Sequence, residues 1–211
     1  MTLSTRHLRN RSTKRLIPWG HAGAYGGAMK EFSIQLTRHC SAPPEVVYDL
    51  LANLRTHLTW GGAEQKYDFR LLSLDAPAGP ATVGASFTST GAIPMSLRKW
   101  TDRSTVTIAE RPFTFEFLTH ATVHRSKRSM EATNRHRYEI AAAPGGSQVS
   151  YSLTQLDVSH PLLRLGLPVV RTMTWRMGVP FMAGRGFRNL LATAERGANL
   201  QSASLTASQA G

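Results

Sequence analysis

The chain has 211 residues, enough for one ordinary domain, and its single cysteine, Cys40, excludes an internal disulfide and a thiolate metal cluster. Apolar residues make up 41% of it, and no apolar run approaches the about 18 residues of a membrane span, so a soluble, cytoplasmic protein is expected. The net charge of +12 raises the question of an anionic partner, but +5 of it lies in residues 1–28 and +7 is spread over the rest.

Residues 1–28 hold Arg6, Arg9, Arg11, Lys14 and Arg15, no acidic residue and no apolar periodicity, and are expected to be a disordered basic extension. Leu16-Ile17-Pro18-Trp19 is too short and too broken for a signal-peptide core. An organellar transit segment and true initiation at Met29 both account for this stretch. From Lys30 to His39, Phe32, Ile34 and Leu36 alternate with Ser33, Gln35 and Thr37, the pattern of a half-buried strand. Ser41, placed to cap, then precedes Ala42-Pro43-Pro44-Glu45 and a helix carrying Val46, Val47, Leu50, Leu51 and Leu54. A break is expected near Asn53, then a short turn from His57 to Trp60, ended by Gly61-Gly62.

Strands are predicted at about 66–74, 83–90, 95–102, 104–111, 113–124, 130–142 and 147–158, with short connections and no helical crossovers, hence antiparallel neighbours. Their period-2 faces place Phe113, Phe115 and Phe117 on one side, as they do His136, Tyr138 and Ile140, and Val149, Tyr151, Leu153 and Gln155. A sheet with one apolar and one charged face needs a cover. The cover is expected from the C-terminal part: Pro161 opens an apolar-striped segment split at Pro168, and Phe187, Leu190, Leu191 and Ala194 form a helix stripe ending near Arg196-Gly197. One domain over 29–197 follows, with 198–211 as a disordered tail.

Three segments together resemble the START-like SRPBCC superfamily, in its polyketide cyclase/dehydrase-like branch. They are Ser41-Ala42-Pro43-Pro44-Glu45-Val46-Val47-Tyr48-Asp49-Leu50-Leu51 with Trp60 after it, Arg135-His136-Arg137-Tyr138-Glu139-Ile140, and Phe187 to Glu195. The resemblance implies an α+β helix-grip (START/Bet v 1-like) fold, a curved antiparallel sheet around a long C-terminal helix enclosing a cavity. The superfamily spans cyclases, carriers and receptors, so function rests on the cavity's residues rather than on the fold.

Trp60, Phe87, Phe115, Phe117, Tyr138, Tyr151, Gln155 and Phe187 are the candidate ligand-binding residues: aromatic walls for stacking, with Gln155 as a polar contact. Each aromatic suits plain core packing equally well. His136 is the candidate acid–base group, with Tyr138 and Tyr151 beside it; a histidine titrates near neutrality, and a buried structural histidine is the competing reading. His57 and Trp60 are expected at the cavity mouth. Of Arg98, Lys99 and Trp100, alternation turns either Lys99 or the other two inward, and an inward cation would need a carboxylate such as Glu116.

The chain has no GxxxxGK[ST], HExxH, CxxC or GxSxG motif, and His120 and His124, four apart on a strand, stand about 13 Å apart, too far to share a metal. No metal or cofactor is expected. The leading reading is a domain binding a small hydrophobic or aromatic ligand in its central cavity. Two alternatives stay open: a metal-free aromatase/cyclase or dehydratase acting on a polyketide-like ketone, and a regulatory or nucleic-acid-binding module using the basic hairpin 125–137. A solvated basic face also explains that hairpin, and no specific nucleic-acid partner is expected.

Overall fold

The computed structural model describes residues 31–61, 70–92, 99–125, 128–159 and 179–209. Strand β1 (Phe32–Cys40) leads into helix α1 (Pro44–Ala52), a 3-10 turn (Leu54–Thr56) and the one-turn helix α2 (His57–Trp60). There follow β2 (Arg70–Asp75), β3 (Ser86–Ala92), β4 (Lys99–Glu110), β5 (Thr114–Arg125), β6 (Arg128–Ala143) and β7 (Gly146–Val158), then helix α3 (Val179–Gln209). The described strands make one curved, open antiparallel sheet in the order β1-β7-β6-β5-β4-β3-β2. Short turns keep sequential strands adjacent, and the first strand pairs with the last.

The predicted alternation holds along β1, where Phe32, Ile34 and Leu36 are half-buried and Ser33, Gln35 and Thr37 exposed. On the inner face, Phe115, Phe117, Tyr138, Ile140, Val149 and Tyr151 are buried, and Phe187, Leu190, Leu191 and Ala194 of α3 meet them. Fully burying a side chain of this size contributes roughly 1.5–3 kcal/mol, so this layer is the main stabilising element. α1 adds Val47 and Leu51 to the same core, and Tyr48 meets Phe115 edge-on at 6.0 Å. At the β6–β7 turn, Gly146 has φ +149°, and a Cβ there would lie 2.2 Å from the Cys40 carbonyl, so only glycine lets the end of β1 close onto β7.

Four expectations are corrected. The strands expected at 95–102 and 104–111, with a break at Asp102-Arg103, are one: β4 runs unbroken, with Asp102 opposite Ser89 and Ala121, because the pairing on both sides satisfies the backbone whatever the turn propensity of Asp. Phe113 is 61% exposed; it sits in the turn before β5, so the alternation of Phe115 and Phe117 does not extend to it. Ser41 does not cap α1, whose N-cap position is Pro43; the Ser41 backbone N–H instead donates to Glu195 Oε1 of α3 at 3.0 Å. Helix α3 continues past Gly197 to Gln209, since a lone glycine with no proline after it costs about 1 kcal/mol but does not stop a helix rich in Ala, Leu and Gln. The 1–28 extension, the strand start at 66–69, Arg98 and the 161–177 segment lie outside the described residues.

The outer face carries the charges. Arg137 bonds Glu116 at 3.3 Å and Glu139 at 3.0 Å, and Arg135 pairs with Glu31 at 4.0 Å. Glu116 therefore serves Arg137, and Lys99 is exposed on the other side of β4 from the core. Among the described residues no helix is long and apolar enough to cross a membrane.

Candidate functional site

Between the sheet's inner face, α2 and α3 lies a cavity of about 180 Å³. Strands β3 to β7 supply it through their inward parity: Phe87 and Ser89 from β3, Asp102 and Ser104 from β4, Phe117 and Thr119 from β5, His136 and Tyr138 from β6, Tyr151 from β7. His57 and Trp60 close one side from α2, and Phe187 closes another from α3.

The cross-strand register stacks the rings. Phe117 pairs with His136, and their rings lie 4.7 Å apart and nearly parallel, at 10°. Tyr138 pairs with Tyr151 at 4.7 Å and 28°, and Phe187 packs on Tyr151 at 5.9 Å. Phe87 meets Phe117 edge-on at 5.5 Å, and His57 lies 4.6 Å from Trp60. Such pairs are worth about 0.5–1.5 kcal/mol each beyond burial, and they hold the walls in place without a ligand.

The polar groups fall into two classes. Some are satisfied within the chain. His57 Nε2 lies 2.8 Å from the Leu51 carbonyl, which only accepts, so Nε2 carries the proton. His136 Nδ1 lies 2.9 Å from the Tyr151 hydroxyl, and the Ser104 and Thr119 hydroxyls bond each other at 2.8 Å. Burial pushes His57 down to about 4; burial and then the neighbouring His57 push His136 down to about 4. Both are neutral imidazoles at physiological pH. Burial raises the Tyr151 hydroxyl, and raises Tyr138 well above its ordinary value, with a further push from Tyr151, so both phenols keep their protons.

The other class is not satisfied. Asp102 accepts the Trp100 indole N–H on Oδ2 at 2.8 Å, while its Oδ1 is buried without a hydrogen-bond partner. Burial pushes this carboxyl up to about 6, against the opposing pull of the Trp100 N–H and the nearby Ser89 hydroxyl. The Trp60 indole N–H, on a residue only 7% exposed, also has no partner.

Of the residues predicted as ligand contacts, Trp60, Phe87, Phe117, Tyr138, Tyr151 and Phe187 come together around the cavity, with His136 among them. Phe115 is fully buried beside them, against Tyr48, and does not line it. Gln155 stands apart: it keeps the parity of Tyr151 and Leu153, opposite Asn134, but lies further along β7 and is half-buried outside the cavity lining. His57 and Trp60, expected at the mouth, are buried wall residues. Asp102 was not anticipated; its signal is the run Trp100, Asp102, Ser104, Val106, a strand face only once the separate strands expected at 95–102 and 104–111 are joined. Among the described residues no three His, Cys, Asp or Glu side chains gather closely enough to hold a metal ion.

In structure the chain is similar to an uncharacterized protein from Rhizobium leguminosarum, with a TM-score of 0.56 at 12% identity, covering 79% of this chain and 96% of that one. It is similar to protein Ms6760 from Mycobacterium smegmatis, with a TM-score of 0.52 at 16% identity over 76% and 89% of the two chains. It is also similar to Ara h 8.0201, with a TM-score of 0.52 at 12% identity over 78% and 98%. No family model and no curated protein matches the sequence. At such identities the likeness is one of fold, and the fold is the helix grip of the Bet v 1 type.

Proposed function

We propose that this helix-grip domain belongs to the SRPBCC superfamily and works in the cytoplasm as a binding protein for a small aromatic ligand, held between the sheet and α3. The observation that carries the reading is the cavity itself. It is closed by aromatic side chains from six elements, which stack on one another around about 180 Å³ of space rather than filling it. An apolar cavity of about 150 Å³ accepts benzene, so this volume suits one ring with a short arm, or two fused rings, better than an extended polycycle. Native mass spectrometry of the protein purified from its own host tests the reading. It predicts a retained or exchangeable small aromatic, released on denaturation; a protein that arrives empty and takes up no aromatic probe contradicts it.

A second reading, proton-transfer catalysis of ring closure or dehydration on a small ketone, has one specific observation in its favour. Asp102 sits in an apolar wall with its carboxyl pushed up to about 6, near the range that suits a general base at neutral pH. His136 is the other candidate; neutral and set against the Tyr151 hydroxyl, it can accept a proton only weakly. Tyr138 and Tyr151, as protonated phenols, are donors to a carbonyl oxygen. The binding reading stands first because it requires only the walls.

A further inference from the structure

We infer that the ligand of this cavity is an aromatic amine, bound through its protonated nitrogen on Asp102 and through an acceptor atom on the Trp60 indole N–H. The inference rests on the ligand-cavity reading and deepens it. Among the described residues, two buried polar atoms on residues that line the cavity have no hydrogen-bond partner, Asp102 Oδ1 and Trp60 Nε1. Buried polar atoms are rarely left so, and each costs about 1–3 kcal/mol when unpaired. One can only accept and the other can only donate, so together they specify a ligand with a donor at one end and an acceptor elsewhere.

The donor is an ammonium rather than a hydroxyl for two reasons. A buried carboxylate is stabilised chiefly by an opposite charge, and among the described residues no lysine or arginine lines the cavity. The cations that flank Asp102 near and next to it in sequence, Lys99 and Arg103, are exposed on the opposite face of β4. The remaining titratable groups around the cavity are His57, His136, Tyr138 and Tyr151, and none carries a positive charge at neutral pH. The surroundings also suit a cation: the faces of Trp60, Phe87, Phe117 and the tyrosines attract an ammonium through the ring quadrupole. An anionic ligand would instead meet a carboxylate and two neutral imidazoles.

Titration calorimetry of the wild type at pH 7.5 with three probes of one ring and one arm tests this: 2-phenylethylamine, 2-phenylethanol and phenylacetate. The amine is expected to bind about 10- to 100-fold tighter than the alcohol, the worth of a hydrogen bond to a charged group, and phenylacetate to bind weakest. Asp102→Asn should weaken the amine by the same factor and bring the amine-to-alcohol ratio close to one. An alcohol that binds as well as the amine, or an acid that binds best, overturns the inference while leaving the ligand cavity standing. If none of the three binds, the cavity reading falls with it. The wild-type order decides the matter even if Asp102→Asn does not fold.

Discussion

The indole of Trp100 holds the carboxylate of Asp102, its Nε1 2.8 Å from Oδ2, on the same face of β4 and inside an aromatic wall. Trp100 itself lies flat over its cross-strand partner Gly91, where an added Cβ would come within 1.9 Å of the ring. Backbone, ring and carboxylate are thus stacked in one line from β3 to the cavity.

Gly91→Ala tests that line. The methyl group must push the indole aside, an overpacking cost of about 1–3 kcal/mol, and Asp102 loses its donor. The melting temperature should fall, and the Trp100 indole N–H resonance should move. An unchanged resonance and an unchanged melting temperature would show that the indole does not depend on the missing side chain.

The two buried imidazoles give a pH dependence with a definite sign. His57 and His136 titrate near 6.5 when unfolded and at about 4 when folded, so between these values the unfolded chain binds more protons and stability rises with pH. Each lowered pKa corresponds to roughly 3 kcal/mol at full extent. Asp102, raised from 3.8 to about 6, acts in the opposite sense over pH 4–6, and the two histidines outweigh it. Denaturant midpoints measured from pH 7 to pH 4.5 should fall steadily, and replacing His136 with Asn should flatten the fall. Midpoints that rise on acidification would contradict the neutral, buried assignment.

The basic hairpin bears on nucleic-acid binding. Arg135 and Arg137 are ion-paired on the outer face, so of the run expected to contact phosphates Arg125, Lys127 and Arg128 are the three that remain to be counted from the sequence. Three phosphate contacts imply that any affinity for DNA or RNA drops about 40-fold between 50 and 200 mM salt. Electrophoretic mobility shifts at both salts check this, and tight sequence-selective binding at 200 mM would make the hairpin, not the cavity, the working site.

Binding and catalysis separate in a three-variant comparison. With a small aromatic ketone as the probe, Phe117→Ala and Tyr151→Ala should weaken binding about 10-fold or more through lost contact area, and His136→Gln should weaken it less. No turnover is expected from the wild type. Measured turnover, lowered about 10²- to 10⁴-fold in His136→Gln or Asp102→Asn, would favour the proton-transfer reading.

The fold was legible because its signals are periodic. Alternation marked β1 and the inner faces of β5, β6 and β7, Pro-Pro-Glu marked the start of α1, and short turns implied sequential antiparallel pairing. What stayed hidden depended on pairing rather than on local pattern. Asp102-Arg103 has turn chemistry yet lies mid-strand between two partners. Register shifts between Val106 and Ile108 and between Thr133 and Asn134 change the pairing without any local signal, and parity alone does not tell how far along β7 the cavity reaches, so Gln155 falls outside the wall. Ser89, Ser104 and Thr119, to which no local pattern drew attention, supply polar spots in a largely aromatic cavity.

The central claim is that the space between the sheet and α3 takes a small aromatic molecule, and a nuclear magnetic resonance titration of the wild type with indole tests it most directly. Saturable shifts are predicted for the Trp60 Nε1–H and for the ring protons of Phe117, Tyr151 and Phe187, with the outer-face Arg137 unmoved. Shifts that never saturate, or that fall on the outer face and spare Trp60, would contradict it.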